Sequence, residues 1–132
     1  MSLKLFVDDI RECPEGWHPA RTVTEAVRVL ATMPVEVVSL DHDIETQDYS
    51  GRRFNSMETF ATVAYYLAAM CVDEQPKKVF IHTANPAGAK AMEAILENFG
   101  DPTDPGVVEI IFSMKYKEIL EKWPNKSPEI PL

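Results

Sequence analysis

The sequence predicts an α/β domain, an open parallel sheet of about five strands with helices on both faces. Three observations predict it. Short apolar runs alternate along the chain with segments of helical period. The run Val35 to Leu40, with valines at 35, 37 and 38, is the continuous β-branched kind expected of a parallel strand buried on both faces. The chain has 132 residues, 45% hydrophobic and 26% charged, the size and balance of a single core that needs no disulfide staple.

Leu3 to Val7 reads as the first strand, stopped by Asp8-Asp9 and followed by a loop from Arg11 to Gly16 with Pro14 and Gly16 as breakers. Trp17 to Arg21 has the pattern of a short second strand, although seven residues separate Asp9 from Trp17 and a parallel crossover usually takes a dozen or more. Either the first helix is reduced to a loop or the Trp17 segment is not a strand. A helix follows from Thr22 to Met33: Thr22 and Glu25 have capping-box spacing, Val23, Ala26, Val27 and Leu30 recur at helical period, and Pro34 stops it. The strand Val35 to Leu40 leads into Asp41-His42-Asp43. Ile44 to Asn55 is polar, carries Gly51-Arg52-Arg53, and reads as a loop. Asn55 with Glu58 then opens a helix running to Cys71, with Phe60, Val63, Ala64 and Leu67 on its inner face.

Lys78 to Ile81 is the next strand, ending in His82-Thr83-Ala84-Asn85. Asn85 suits the N-cap of the following helix, Pro86 its first position and Gly100 its C-terminal cap, with Ala91, Ile95, Leu96 and Phe99 packed inward. A turn-rich stretch from Asp101 to Gly106 precedes the last strand, Val107 to Phe112, and Lys115 to Lys122 is a short final helix. The domain is expected to span residues 1–123, with a proline-rich tail over 124–132. Cys71, Met57, Met70 and Met92 read as core, and Cys13 as an incidental loop thiol.

Composition excludes some functions. Net charge is −8 with Lys and Arg scattered, so there is no basic face for duplex DNA. No stretch approaches the roughly 20 apolar residues of a membrane span, and no charged-then-apolar leader precedes the first strand. Two isolated cysteines suit a reducing compartment. The expected location is cytoplasmic.

In open parallel sheets, ligands bind beyond the carboxyl ends of the strands. Three such ends here carry Asp8-Asp9, Asp41-His42-Asp43 and His82-Thr83-Ala84-Asn85, and the alternation places all three along one edge. Of the adjacent acids Asp8 and Asp9, one should point inward and the other to the rim. Their repulsion calls for a cation, a helix N-terminus or a basic partner. Asp8, Asp9 and Asp41 with waters and a phosphate oxygen suit Mg²⁺, or another divalent cation of the same kind. Zinc fits less well, with two nearby histidines and no cysteine. His42 and His82 have the ordinary pKa range for a general base and general acid at a phosphodiester, whereas His18 lies outside the strand ends. Arg11 would either fork onto a phosphate or brace Asp9; Arg21 reads as a salt-bridge partner. Asp43, Thr83 and Asn85 are further candidates for phosphate contact, Asn85 capping its helix at the same time. Gly88, in the first helical turn, marks close approach of a ligand. Lys115 and Lys117 are nearly equally placed to reach the site.

The acidic pair Asp8 and Asp9, Asp41 after a central strand, Thr83 after the next and Lys115 after the last resemble the receiver domains of response regulators. L-F-V-D-D-I-R (5–11), A-R-T-V-T-E-A (20–26), S-L-D-H-D (39–43) and H-T-A-N-P-A-G-A-K-A-M (82–92) resemble more closely the cyclic-phosphate-processing receiver-like family. The resemblance implies a receiver-like (flavodoxin-like) sheet of order 2-1-3-4-5 and a role in processing cyclic phosphates. It implies a site of Asp8, Asp9, Asp41, His42, His82 and Asn85. One departure stands out: such proteins tend to have a short glycine-containing turn after Asp43, where this chain has the longer Ile44 to Asn55 segment, expected to overhang the site.

The leading functional expectation is a phosphoesterase acting on a cyclic phosphate of a nucleotide or RNA end, with Mg²⁺ as cofactor. A signalling receiver phosphorylated on Asp41 and a non-catalytic nucleotide sensor are the alternatives. Exposed apolar residues on the last helix would support a homodimer.

Overall fold

A computed structural model of the chain describes residues 2–47, 50–97, 99–101, 104–105, 107–112 and 115–124. In chain order the elements are β1 (Leu3–Val7), β2 (His18–Ala20), α1 (Val23–Thr32), β3 (Val35–Leu40), β4 (Asp43–Gln47), β5 (Arg53–Thr59), α2 (Ala61–Ala69), β6 (Lys78–His82), α3 (Pro86–Ile95), β7 (Gly100–Asp101), β8 (Asp104–Pro105), β9 (Val107–Ile111) and α4 (Tyr116–Glu121), with a 3₁₀ turn at Val72–Glu74. The main sheet has the order β2-β1-β3-β6-β9 with every pairing parallel. This is the expected 2-1-3-4-5 arrangement of a receiver-like fold. The tail over 124–132 falls almost wholly outside the described residues.

Alternation within the strands sorts two cores. Leu5, Val7, Val38, Leu40, Val79 and Ile81 face one side, where they meet α1, α2 and α3 through buried residues such as Leu30, Leu67 and Met92. Phe6, Val37 and Phe80 face the other side, where they meet Trp17 and Leu120 of α4. Among the described residues, helices therefore cover both faces, three on one and one on the other. The shortfall arises because the crossing from β1 to β2 is a loop, and the Trp17 segment is indeed a strand paired with β1. Trp17, 7% exposed, fills the gap, and its Nε1 donates to the Leu120 carbonyl at 3.0 Å.

Helix starts follow the expected chemistry where a cap exists. Thr22 accepts from the Glu25 N–H at 3.1 Å, while the Glu25 carboxylate takes the Arg21 N–H at 2.6 Å. Asn85 accepts from the Gly88 N–H at 3.0 Å ahead of Pro86.

Several expectations are corrected. Ile44 to Asn55 is not a loop: β4 and β5 pair antiparallel, from Asp43↔Thr59 to Gln47↔Arg53. Because β5 continues to Thr59, α2 begins at Ala61 instead of Asn55. Both strands are polar, so it is backbone pairing, not an apolar face, that defines them, and sequence periodicity gives no sign of it. α3 ends at Ile95, with Leu96 donating back to Met92, so Gly100 lies in β7 and does not cap the helix. The inner face of α3 runs through Ala89 and Met92, and Ala91 is exposed. Met57 is fully exposed on β5, and Cys71, just past the end of α2, is exposed too. Met92 is core as expected, and Met70 packs at its edge.

Candidate functional site

The register of the sheet brings the site together. Val7 pairs with Leu40 and Leu40 with Ile81, so the residues that follow β1 and β3 and those that end β6 lie side by side at one edge. The backbone continues the alignment, with Asp41 N donating to Val7 O at 2.9 Å. β1 is where the strand order reverses, the position at which such sheets bind ligands.

Asp8 is wholly buried, while Asp9 is partly exposed, the inward and rim placements expected. Asp8 Oδ1 accepts the N–H groups of Ile10 (3.0 Å) and Arg11 (2.9 Å). Its Oδ2 accepts from Arg11 Nη1 and from His82 Nε2, both at 2.9 Å. Burial opposes ionisation, yet these four donors outweigh it and hold the Asp8 carboxyl well below the usual carboxylate range. Asp41 goes the other way. Burial first, then the charge of Asp8, push its carboxyl up, and Arg11 Nη1 at 3.1 Å from Oδ2 offsets only part of this. Arg11 thus bridges the two acids and does not brace Asp9. Its carbonyl is held by Arg21 Nη1 at 2.6 Å, which also reaches the Asp8 carbonyl at 3.0 Å. Arg21 therefore secures loop backbone, and among the described residues it forms no salt bridge of the kind expected.

Asp8, Asp9 and Asp41 each offer an oxygen, and these oxygens lie within 4.8 Å of one another. Asp9 Oδ2 accepts the Glu45 N–H of β4 at 2.7 Å. Its Oδ1 is buried with no hydrogen-bond partner among the described residues. A buried anionic oxygen without a donor is costly, and a hard oxygen-binding cation is the partner that three clustered carboxylates fit. Beside them is a cleft of about 110 Å³ lined by Asp9, Arg11, Asp41, Asp43, Glu45 and Thr83 among others. A larger cavity of about 570 Å³ lies at the opposite end of the strands, near Glu36, Asp73 and Lys77. Size alone would favour it, but the converging acids belong to the smaller cleft.

The two histidines each stand behind a carboxylate. His82 is 2% exposed. Its Nε2 meets Asp8, its Nδ1 lies 2.6 Å from Ser39 Oγ, and its ring stacks on Phe6 at 4.6 Å and on Tyr116 at 5.6 Å. Both ring nitrogens are engaged. His42 Nδ1 lies 2.8 Å from Asp43 Oδ1, and no hydrogen bond reaches its Nε2 among the described residues. Because a carboxylate only accepts, the proton sits on Nδ1 of His42 and on Nε2 of His82. Asn85 Nδ2 donates to the same Asp43 oxygen at 3.3 Å.

Thr83 is buried, lines the cleft and accepts the Asn85 N–H at 3.1 Å. The close approach at Gly88 comes from this chain: a Cβ there would fall 2.5 Å from His42 Cγ. Lys117 pairs with Glu12 at 2.9 Å and Lys115 is exposed. His18 is exposed on β2. Sequence reasoning missed Ser39 and Tyr116. For Ser39 a signal existed: a lone hydroxyl inside an apolar strand, two residues before Asp41 and so on the same face.

An open parallel sheet that gathers an acidic pair, a central-strand aspartate and a following threonine at one edge defines a receiver-like domain. A family model described as the cyclic-phosphate processing receiver domain matches residues 3–98. The chain belongs to that family. Comparison with curated proteins and with solved structures gives no match. Among the described residues no helix is long and apolar enough to cross a membrane.

Proposed function

We propose that this domain holds a divalent cation between Asp8, Asp9 and Asp41 and hydrolyses a cyclic phosphate carried by a nucleotide or an RNA end. The observation that carries the reading is Asp9 Oδ1, buried and without a donor among the described residues, inside a cluster of three carboxylates that opens on a small polar cleft. Family membership supplies the cyclic-phosphate class.

A bound Mg²⁺ would polarise a phosphoryl oxygen and offset the negative charge that accumulates on it. The chain's own groups do the rest. Arg11 and Thr83, on the cleft wall, contact phosphate oxygens. The Nε2 of His42 takes the proton of the attacking water while Asp43, also held by Asn85, orients the ring through Nδ1–H and stabilises the imidazolium. The same Nε2–H then protonates the ribose oxygen that leaves phosphorus as the ring opens. His82, expected from sequence as the second proton carrier, has both nitrogens occupied in the interior. Its role in this reading is to position Asp8.

The test is hydrolysis of 2′,3′-cyclic nucleotides and cyclic-phosphate RNA ends, with Mg²⁺ and with EDTA. Turnover is expected only with the metal, falling about 10²- to 10⁴-fold in His42→Ala and disappearing in Asp9→Asn. No turnover across that panel by a folded sample that binds Mg²⁺ would sink the hydrolytic reading. A second reading, phosphorylation on Asp41, is favoured by its place between the acid pair and Thr83. Under it, a small phosphodonor leaves a stable acyl phosphate on Asp41.

A further inference from the structure

Behind Asp8, on the side away from the cleft, lie two polar residues that the proposed chemistry does not use directly. Ser39 in β3 is wholly buried and His82 nearly so. Phe6 and Tyr116 close over the imidazole, the Phe6 ring within 7° of parallel. A hydroxyl and an imidazole are seldom kept in such a place without a reason, because each costs free energy unless its hydrogen bonds are made. Here they are made in one direction. Asp8 only accepts, so His82 Nε2 donates to it at 2.9 Å. At the other ring nitrogen, Nδ1, Ser39 Oγ lies 2.6 Å away and completes the hydrogen bonding of the imidazole.

We propose that Ser39 and His82 form a buried positioning relay that aims the Asp8 carboxylate at the cation, so that Ser39, which does not line the cleft, sets the cation affinity of the site. The proposal rests on the reading of Asp8, Asp9 and Asp41 as a cation site. Asp8 is gripped at both oxygens. The loop N–H groups fix Oδ1, and His82 from the sheet side shares Oδ2 with Arg11 Nη1 from the loop side. Ser39 in turn fixes the ring. Without it, the imidazole keeps its stacking contacts but loses its Nδ1 partner among the described residues, which loosens its hold on Asp8 Oδ2. Partners that orient a ligating group commonly change metal affinity about 10- to 100-fold when removed. Ser39 acts one step further back, so a smaller loss is expected.

The experiment compares wild type, Ser39→Ala and Ser39→Thr by Mg²⁺ titration calorimetry, thermal unfolding in EDTA and the ¹⁵N resonances of His82. Ser39→Ala is expected to weaken Mg²⁺ binding about three- to tenfold and to shift the Nδ1 resonance away from its hydrogen-bonded position. Ser39→Thr keeps the donor but crowds the core with a methyl group, so it should melt lower while retaining the wild-type Mg²⁺ affinity. A merely structural serine predicts affinity unchanged in both variants, so Ser39→Ala is the discriminating one. That result, or equal loss of affinity in both, overturns the relay. If wild type takes up no Mg²⁺, the cation reading itself has failed. The relay then falls with it, having no cation to aim at, whereas Mg²⁺ binding by wild type and both variants with equal affinity overturns the relay alone.

Discussion

His42 and His82 carry the same ring, and their surroundings separate what each can do. His82 is locked between Ser39 and Asp8, whereas His42 has no partner at Nε2 among the described residues and depends on Asp43 for its orientation. The space His42 needs is provided by Gly88, where a Cβ would come within 2.5 to 2.9 Å of three ring atoms. Two effects therefore compete in Gly88→Ala. Helix propensity favours alanine by about 1 kcal/mol, while the His42 ring must move and lose its 2.8 Å contact with Asp43. The expected outcome is a melting temperature close to wild type, with activity reduced about as far as in His42→Ala. Full activity in Gly88→Ala would remove His42 from the chemistry. The acids of this site were legible in the sequence because each stands at the end of an apolar run. The pairing of each histidine with its carboxylate was half legible: His42 and Asp43 are neighbours, but Asp8 and His82 are 74 positions apart, and only strand register brings them together.

Trp17 stands where a helix would otherwise cover the sheet. The β1–β2 crossing has no helix, so one face depends on α4 and this indole, which packs with Phe6, Val37 and Phe80 and bonds the Leu120 carbonyl. Trp17→Ala is expected to cost about 3–5 kcal/mol, and Trp17→Phe less, because the ring partly fills the space while the Leu120 carbonyl loses its donor. Chemical denaturation of the two variants checks the order. A cost below about 1 kcal/mol for the alanine would mean that α4 alone suffices. The parallel strands and α1 were legible because they bury one face or two, and burial writes a period into the sequence. The β4–β5 hairpin was not. Its strands are polar, and Glu45 matters through its backbone N–H, which holds Asp9 at 2.7 Å. No side-chain pattern records a main-chain donor. Of the segment expected to overhang the site, Glu45 joins the cleft wall, and residues 48–49 lie outside the described residues.

A chain of net charge −8 that also packs acids side by side at one edge holds opposed electrostatic contributions to its stability, and pH separates them. The Asp8 carboxyl lies below its unfolded value near 3.9. Its contribution is therefore present above about pH 4 and is lost as pH falls further toward its folded value. The Asp41 carboxyl lies above its unfolded value. Ionising it therefore costs the fold stability as pH rises from about 4 through its folded value, and the cost is complete above that. In EDTA at neutral pH the two neutralising variants should consequently have opposite signs. Asp8→Asn leaves the buried His82 and Arg11 donors poorly matched and should lose about 3 kcal/mol. Asp41→Asn relieves a buried like-charge pair and should gain about 1 kcal/mol, or roughly 3–5 °C in Tm, the gain shrinking as pH is lowered toward 4. Mg²⁺ should reverse the ranking, raising the Tm of wild type well above that of Asp41→Asn. Thermal melts across pH 4 to 8 with and without Mg²⁺ read all of this at once. If Asp41→Asn is as destabilised in EDTA as Asp8→Asn, the acids hold the fold together, and the electrostatic strain that a cation would relieve is not there.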